Sequence, residues 1–189
     1  MKAPIGLAAA AAAALLSPAP VPAASTQRVS ARDKGRIEGG ETGGVALFKG
    51  IPFAAPPTGA ARWAPPRPTT AWKGIRDARQ FGPACPQPSR PGKPDFPQSE
   101  DCLTLNVATP DIQARKLPVL VEIHGGAFFV GSGRELLEDG VPAIVRRGVV
   151  LVTPNYRLGR LGFFAHPALT AEAKGAGTAN FWLMDQIAA

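Results

Sequence analysis

Two glycines and an alanine follow directly on a short apolar segment in the second half of the chain. Residues 117–123 are mostly apolar and β-branched, and His124, Gly125, Gly126 and Ala127 come next. Because glycine has no Cβ atom, the chain can turn sharply there and bring backbone N–H groups close to a ligand. Amides placed in this way stabilise the negative charge that develops on oxygen during acyl transfer. The segment therefore predicts a buried strand that ends in an oxyanion-binding turn.

A nucleophile for such a turn is absent from the sequence. No serine in the chain has glycine both two residues before and two residues after it, so the Gly-x-Ser-x-Gly nucleophile elbow is missing. Ser132, between Gly131 and Gly133, follows the turn but lacks that pattern. A catalytic histidine would act as a general base and must reach the nucleophile. The chain contains no nucleophile elbow on which His166 could act. We therefore expect neither Ser132 nor His166 to be catalytic.

The residues around the turn predict strands and a connecting helix. Strands are predicted at residues 103–108, 119–124 and 149–153. Residues 141–148 predict a short helix, with proline in the first turn, arginines in the last turn and glycine just beyond. A strand, a crossover helix and a second strand form a βαβ unit, so the strands at 119–124 and 149–153 should be parallel.

Other segments predict a hairpin, a long irregular region and a final helix. Residues 36–38 and 45–49 predict two strands joined by glycine-rich residues 39–44. Residues 51–98 contain repeated prolines and scattered aromatic side chains, which predicts mostly irregular structure. A helix is predicted to begin near Asn180 and to continue to Ala189.

The composition is that of a globular protein. Of 189 residues, 45% are hydrophobic and 19% are charged. The formal net charge is +7, but the basic residues are dispersed, with only Arg146 and Arg147 adjacent. Nucleic-acid binding needs a clustered basic surface, so we expect no nucleic-acid partner.

The N-terminus predicts an export signal over residues 1–24. Lys2 provides the positive charge, residues 5–16 an alanine-rich apolar core, and residues 21–24 a small-residue cleavage site. The apolar core is too short to span a bilayer, and no cysteine near the cleavage site offers a lipid anchor. The alternative is an alanine-rich leader without an export role. We expect a secreted or periplasmic protein with no stable membrane anchor, a polar tail at 25–34 and a domain portion at 35–189.

An exported chain favours a disulfide between its two cysteines, Cys85 and Cys102. The enclosed loop contains five prolines and cannot be helical, so a covalent link would hold it together. Two buried free thiols are the alternative.

With these features placed, the sequence resembles the type-B carboxylesterase family, which includes bacterial para-nitrobenzyl esterases and the cholinesterases. The most distinctive match is Glu100-Asp101-Cys102-Leu103, which is similar to the Glu-Asp-Cys-Leu signature of the family. The other matching motifs occur in register along the chain at residues 48–57, 61–63, 81–85, 124–128, 155–159, 163–165 and 185–186.

The resemblance implies an α/β-hydrolase fold and a serine–acid–histidine ester hydrolysis mechanism. The expected fold class is α/β, with a mixed, mostly parallel sheet, helices on both faces, and a chain truncated before the nucleophile elbow. The resemblance assigns the oxyanion-hole amides to Gly126 and Ala127, and places Gly125 and His124 in the oxyanion loop. Ala127 replaces a glycine found in many members, but the donor is a main-chain N–H that alanine retains.

The resemblance also implies structural links around the site. It pairs Cys85 with Cys102 in a disulfide, and it pairs Arg62 with Glu100 and Arg157 with Asp185 in two structural ion pairs. Trp182 stands where the family usually has glycine.

The sequence thus predicts an exported carboxylic ester hydrolase that acts on a small-molecule ester and needs no metal or organic cofactor, because neither clustered ligands nor a phosphate-binding loop occurs. The present chain is expected to be inactive alone, since the triad would lie beyond Ala189. Alternatives are a non-catalytic cholinesterase-like adhesion or binding protein, and an esterase similar to hormone-sensitive lipase. The sequence specifies no oligomeric state.

Overall fold

The computed structural model describes residues 27–31, 34–92, 95–138, 140–175 and 177–189. The predicted export signal lies outside these residues. Within them the chain forms the following strands and helices: β1 (Gln27–Ala31), β2 (Gly35–Thr42), β3 (Val45–Pro52), a 3-10 helix (Gly59–Ala61), β4 (Ile75–Asp77), β5 (Thr104–Thr109), β6 (Val119–Val121), α1 (Glu135–Glu138), α2 (Ala143–Arg146), β7 (Val150–Pro154), α3 (Gly159–Gly162), α4 (Pro167–Glu172) and α5 (Phe181–Ala188).

The predicted N-terminal hairpin is present, but its strands are longer than expected. The strands β2 and β3 pair antiparallel with Thr42 opposite Val45, so the loop is only Gly43 and Gly44, both with positive φ. Gly39 belongs to β2 rather than to the loop. Glycine is needed at this strand position because a Cβ there would lie 2.5 Å from the Phe48 ring. Part of the predicted polar tail forms β1, which pairs antiparallel with β2.

The strands form one mixed sheet. Its order is β1-β2-β3-β5-β7-β6, and β4 pairs with β2 off this path. The β6–β7 and β2–β4 pairs are parallel, whereas β1–β2, β2–β3, β3–β5 and β5–β7 are antiparallel. Antiparallel pairing therefore predominates among the described strands, although of these antiparallel pairs only β1–β2 and β2–β3 join strands that are consecutive in the chain.

The predicted βαβ unit carries the candidate turn. The strands β6 and β7 are parallel with Val119 opposite Val150, and the connection between them includes α1 and α2. The helix α2 ends before Gly148, which has a φ of +98°. The strand β6 is shorter than predicted, although the Glu122 amide still donates to the Val152 carbonyl at 2.9 Å. The candidate turn thus begins directly beyond β6.

Alternating side chains of the central strands separate two core clusters. On one face, Val45 and Leu47 of β3 pack with Val145 of α2 and with Leu137 of α1. On the other face, Ala46 and Phe48 of β3 pack with residues of β2 and of the irregular segments. In these two clusters, helical side chains cover one face, and strands and coil cover the other.

The irregular region from β3 to β5 is closed by the predicted disulfide. Cys85 and Cys102 are joined across 17 residues, and both are buried. The strand β4 and the short 3-10 helix are the regular elements in the described part of this region. At the far edge of the sheet, the side chains of Val119, Leu120 and Val121 in β6 are 61%, 42% and 53% exposed.

Both predicted ion pairs are formed. Arg157, just beyond β7, is 2% exposed and pairs bidentately with fully buried Asp185 of α5, with N–O distances of 2.8 Å. Its remaining donor, Nη1, reaches the backbone carbonyls of Arg62 and Ala64. Arg62 in turn pairs bidentately with Glu100 at 2.7 Å. Arg157 therefore ties β7, α5 and the irregular region together.

We predict that Asp185→Asn lowers the free energy of unfolding by about 3–5 kcal/mol, because it leaves the buried Arg157 guanidinium without a countercharge. Urea denaturation monitored by fluorescence measures this loss. The matched control is Asp77→Asn, which breaks an exposed bidentate pair with Arg79. We expect little change in the control, because exposed pairs are screened by water and salt. Equal losses in the two variants would contradict a central role for Arg157.

Candidate active site

The candidate turn folds back on itself through an unusual backbone path. Gly126, Ala127 and Phe128 have φ values of +116°, +52° and +64°. The Gly126 carbonyl accepts hydrogen bonds from the amides of Phe129 and Val130 at 3.0 and 3.1 Å. Two consecutive non-glycine residues with positive φ are strained, and such strain is concentrated at functional sites. Contacts on both sides of the turn therefore have to hold this conformation.

Glycine is required at both ends of the turn. A Cβ on Gly126 would lie 1.8 Å from the Val130 carbonyl oxygen. A Cβ on Gly131, which has a φ of +119°, would lie 2.4 Å from His124 Nδ1 and 2.5 Å from the Gly125 oxygen. The backbone segments are thus packed directly on each other, with no side chain between them.

The amides of Gly126 and Ala127 make no hydrogen bond to any residue in the described part of the chain. Gly126 lines a cavity of about 370 Å³ that is also lined by Glu122, His124 and Ser132. Ala127 lines a neighbouring apolar cavity of about 540 Å³. Among the described residues neither amide has a hydrogen-bond partner, and each residue lines an open cavity, so both N–H groups remain available to an oxygen acceptor, as an oxyanion hole requires.

His124 fixes the start of the turn. Its ring is 7% exposed, stacks on Tyr156 with centroids 4.3 Å apart, and lies with Nδ1 2.9 Å from the Gly125 carbonyl oxygen. Because a carbonyl only accepts, Nδ1 carries the proton in this contact. The Tyr156 hydroxyl also donates to the His124 carbonyl at 2.6 Å. Burial lowers the pKa of His124, which keeps the ring neutral, and Nε2 has no partner among the described residues.

The carboxylate of Glu122 belongs to the cavity that Gly126 and His124 line, and one of its oxygens lacks a hydrogen-bond partner among the described residues. Glu122 Oε2 is buried and accepts no hydrogen bond from the described residues. Burial, and then the negative charge of Glu135, raise the pKa of Glu122. Glu135 itself is held by a bidentate ion pair with Arg90. The sequence analysis missed Glu122 because an isolated glutamate within an apolar strand has no motif around it.

Ser132 and His166, which the sequence analysis considered as catalytic residues, have structural roles. The Ser132 hydroxyl is 2% exposed and donates to Asn155 Oδ1 at 3.1 Å. Asn155 Nδ2 in turn donates to the carbonyls of Pro83 and Cys102, so the pair ties the turn to the disulfide region. His166 is exposed and caps α4, accepting from the Ala168 amide at 3.2 Å.

The tryptophan that departs from the family pattern packs against the turn. The Trp182 ring lies 4.2 Å from the Phe128 ring, centroid to centroid. The Phe128 carbonyl accepts from the Gly159 amide at 2.7 Å, which holds the same residue from the backbone side. Trp182 thus supports the positive-φ conformation of Phe128, a contact that the sequence did not predict.

The described residues contain no group of three or more histidine, cysteine or acidic side chains arranged to hold a metal ion. None of the helices described is long and apolar enough to cross a bilayer.

Comparison with known proteins places the chain in a family. Residues 25–189 match the model of the carboxylesterase family, and the chain belongs to that family. It is 48% identical over 158 residues to the fumonisin B1 esterase of Sphingopyxis macrogoltabida, covering 82% of this chain and 29% of that protein. It is 42% identical over 168 residues to the para-nitrobenzyl esterase of Bacillus subtilis, covering 87% and 34%.

Solved structures agree. A thermophilic para-nitrobenzyl esterase superposes with a TM-score of 0.76 at 41% identity, over 87% of this chain and 34% of that chain. A carboxylesterase of Geobacillus stearothermophilus gives a TM-score of 0.75 at 42% identity, over 85% and 33%. The predicted family and the α/β-hydrolase fold are confirmed. The chain spans 29–34% of the length of the two curated relatives named above.

We predict that the protein loses stability as the pH falls below about 6.5, the usual pKa of histidine. His124 has a lowered pKa when folded, so the unfolded state binds more protons in this range and the free energy of unfolding decreases. Urea denaturation between about pH 7.5 and about pH 5 measures the slope. His124→Gln should reduce it.

His166→Gln is the matched control, because it replaces a histidine at an exposed position with the same residue, glutamine; we expect it to change the slope less than His124→Gln does. The raised pKa of Glu122 has the opposite effect on the free energy of unfolding. Its contribution to stability is lost as the pH rises above the ordinary pKa of a glutamate. Both variants retain Glu122, so the comparison isolates His124. An unchanged slope in His124→Gln would contradict the buried neutral ring.

Proposed function

We propose that the full-length protein containing this chain hydrolyses carboxylic esters with a serine nucleophile, and that the amides of Gly126 and Ala127 bind the oxyanion. The chain would form the N-terminal third of that enzyme, consistent with the 29–34% of its relatives that it covers. The observation that carries the proposal is the pair of adjacent amides, which have no hydrogen-bond partner among the described residues and belong to residues that line two cavities.

The mechanism follows from where charge develops. A histidine takes the proton of a serine hydroxyl as the serine oxygen attacks the ester carbonyl carbon, and the carbonyl π electrons move onto oxygen as the tetrahedral intermediate forms. The N–H groups of Gly126 and Ala127 would donate to this oxygen. Because their direction is fixed before the substrate binds, no reorganisation is needed during the reaction. The electrons then return to the carbon, the alcohol leaves with a proton from histidine, and water hydrolyses the acyl enzyme.

The intact turn supports an enzyme over a non-catalytic binding protein. A binding module does not need two strained residues and a pair of unpartnered amides, whereas an acyl-transfer enzyme does. Both relatives described above are named as esterases, which are enzymes that hydrolyse esters.

We also propose that the protein is exported, to the periplasm or the medium, and that its substrate is a small-molecule ester. The disulfide between Cys85 and Cys102 supports an oxidising compartment. The predicted signal over residues 1–24 supports the same route.

We predict that Gly126→Ala in the full-length protein lowers kcat by about a hundredfold or more, because the added Cβ displaces the turn and removes an oxyanion donor. Initial rates on a chromogenic short-chain ester measure the effect. Gly40→Ala is the matched control, since Gly40 lies in β2 with open space around its Cα and no positive φ. Wild-type kcat in a folded Gly126→Ala variant would contradict the proposal.

We predict that the isolated 189-residue chain is catalytically inert. It contains no nucleophile elbow, so no acyl enzyme can form. The assay on the same chromogenic ester should give the rate of the buffer blank. A serine-dependent rate above the blank, abolished by Ser132→Ala, would overturn the assignment of the nucleophile to a later part of the protein.

A further inference from the structure

The side chain of Gln87 binds both backbone polar groups of Gly131, the last residue of the turn. The Gly131 amide donates to Gln87 Oε1 at 2.7 Å, and Gln87 Nε2 donates to the Gly131 carbonyl at 2.8 Å. The same Nε2 also donates to the Cys85 carbonyl at 3.0 Å. A single primary amide thus pairs with Gly131 as a neighbouring strand would, which fixes the position and the direction of its backbone.

Gly131 is in direct contact with the peptide that starts the turn. The space beside its Cα is occupied by the Gly125 carbonyl oxygen and by His124 Nδ1, which lie 2.5 and 2.4 Å from the position that a Cβ would take. Because a trans peptide is planar, the Gly125 carbonyl and the Gly126 N–H point in opposite directions. A displacement of Gly131 would therefore rotate the Gly125–Gly126 peptide and redirect the Gly126 amide.

Gln87 is itself held by hydrogen bonds within the loop between Cys85 and Cys102, independently of the turn. Its own amide donates to Gln98 Oε1 at 2.9 Å, across the loop that the disulfide closes. The Ala84 amide donates to Pro97, and the Ser99 amide donates to Ala84, at 2.9 and 3.0 Å. The disulfide adds a covalent link between the two ends of this loop. The loop is therefore a preformed frame from which Gln87 reaches Gly131.

We propose that Gln87 is a positioning residue for the oxyanion turn, acting through Gly131 on the direction of the Gly126 amide. The inference rests on the proposed function of that amide. Gln87 does not touch the reacting atoms. Its role is to transmit the rigidity of the disulfide-closed loop to a turn whose positive φ values would otherwise relax.

The test is Gln87→Glu in the full-length protein, with Gln87→Ala as a second variant. Gln87→Glu keeps the size of the side chain and an acceptor for the Gly131 amide, but places an oxygen against the Gly131 carbonyl. We expect kcat on a chromogenic short-chain ester to fall about ten- to hundredfold, because small displacements of catalytic groups have effects of this size. KM should change little, since the oxyanion contact is made mainly in the transition state.

The matched control is Ser89→Ala, from the same loop. The exposed Ser89 hydroxyl donates to Asp95 Oδ2 at 3.2 Å, and among the described residues Ser89 makes no hydrogen bond to the turn. We expect this variant to keep the wild-type kcat. An equal loss of kcat in Ser89→Ala and Gln87→Glu would overturn the specific role of Gln87.

Hydrogen exchange measured by mass spectrometry gives a readout that needs no substrate. Peptides covering residues 125–131 should exchange faster in both Gln87 variants than in wild type, and at the wild-type rate in Ser89→Ala. Unchanged exchange and unchanged kcat in a folded Gln87→Glu variant would overturn the positioning role. If the wild-type protein hydrolyses no ester, the proposed function fails, and the exchange rates alone then decide whether Gln87 holds the turn.

Discussion

The direct packing of backbone on backbone between Gly126 and Gly131 is the constraint on which the rest of the site depends. Each of these glycines leaves room for a carbonyl oxygen where another residue would place a Cβ atom. Within this closed turn, the amides of Gly126 and Ala127 have no hydrogen-bond partner among the described residues, and the two residues line two cavities. Ala127 is exposed and Gly126 is partly exposed, so an oxygen of a bound molecule can reach their N–H groups.

The surrounding fold holds this turn from several directions. The βαβ unit places β6 parallel to β7, so that Tyr156, just beyond β7, stacks on His124, just beyond β6. Arg157, the next residue, is anchored to α5 by Asp185. The helix α5 supplies Trp182, which packs on Phe128. One short segment after β7 thus connects the sheet, a helix and the turn, and this explains why a charged pair is buried there.

The sequence predicted local features better than contacts between distant segments. The hairpin, the strands β5 and β7, the helix α5 and the stop of α2 at Gly148 all follow from glycine, proline and apolar patterns within a few residues. The ion pairs and the disulfide came from motifs of the family. The roles of Gln87 and Trp182 could not be predicted, because each depends on a segment more than 40 residues away that only the fold brings close.

The most direct test is a crystal structure of the full-length protein with a phosphonate bound covalently to its nucleophile, because the phosphonate oxygen occupies the place of the oxyanion. The account predicts that this oxygen lies about 2.7–3.1 Å from the backbone nitrogens of both Gly126 and Ala127. An oxygen bound by other donors, with these two amides directed elsewhere, would contradict it.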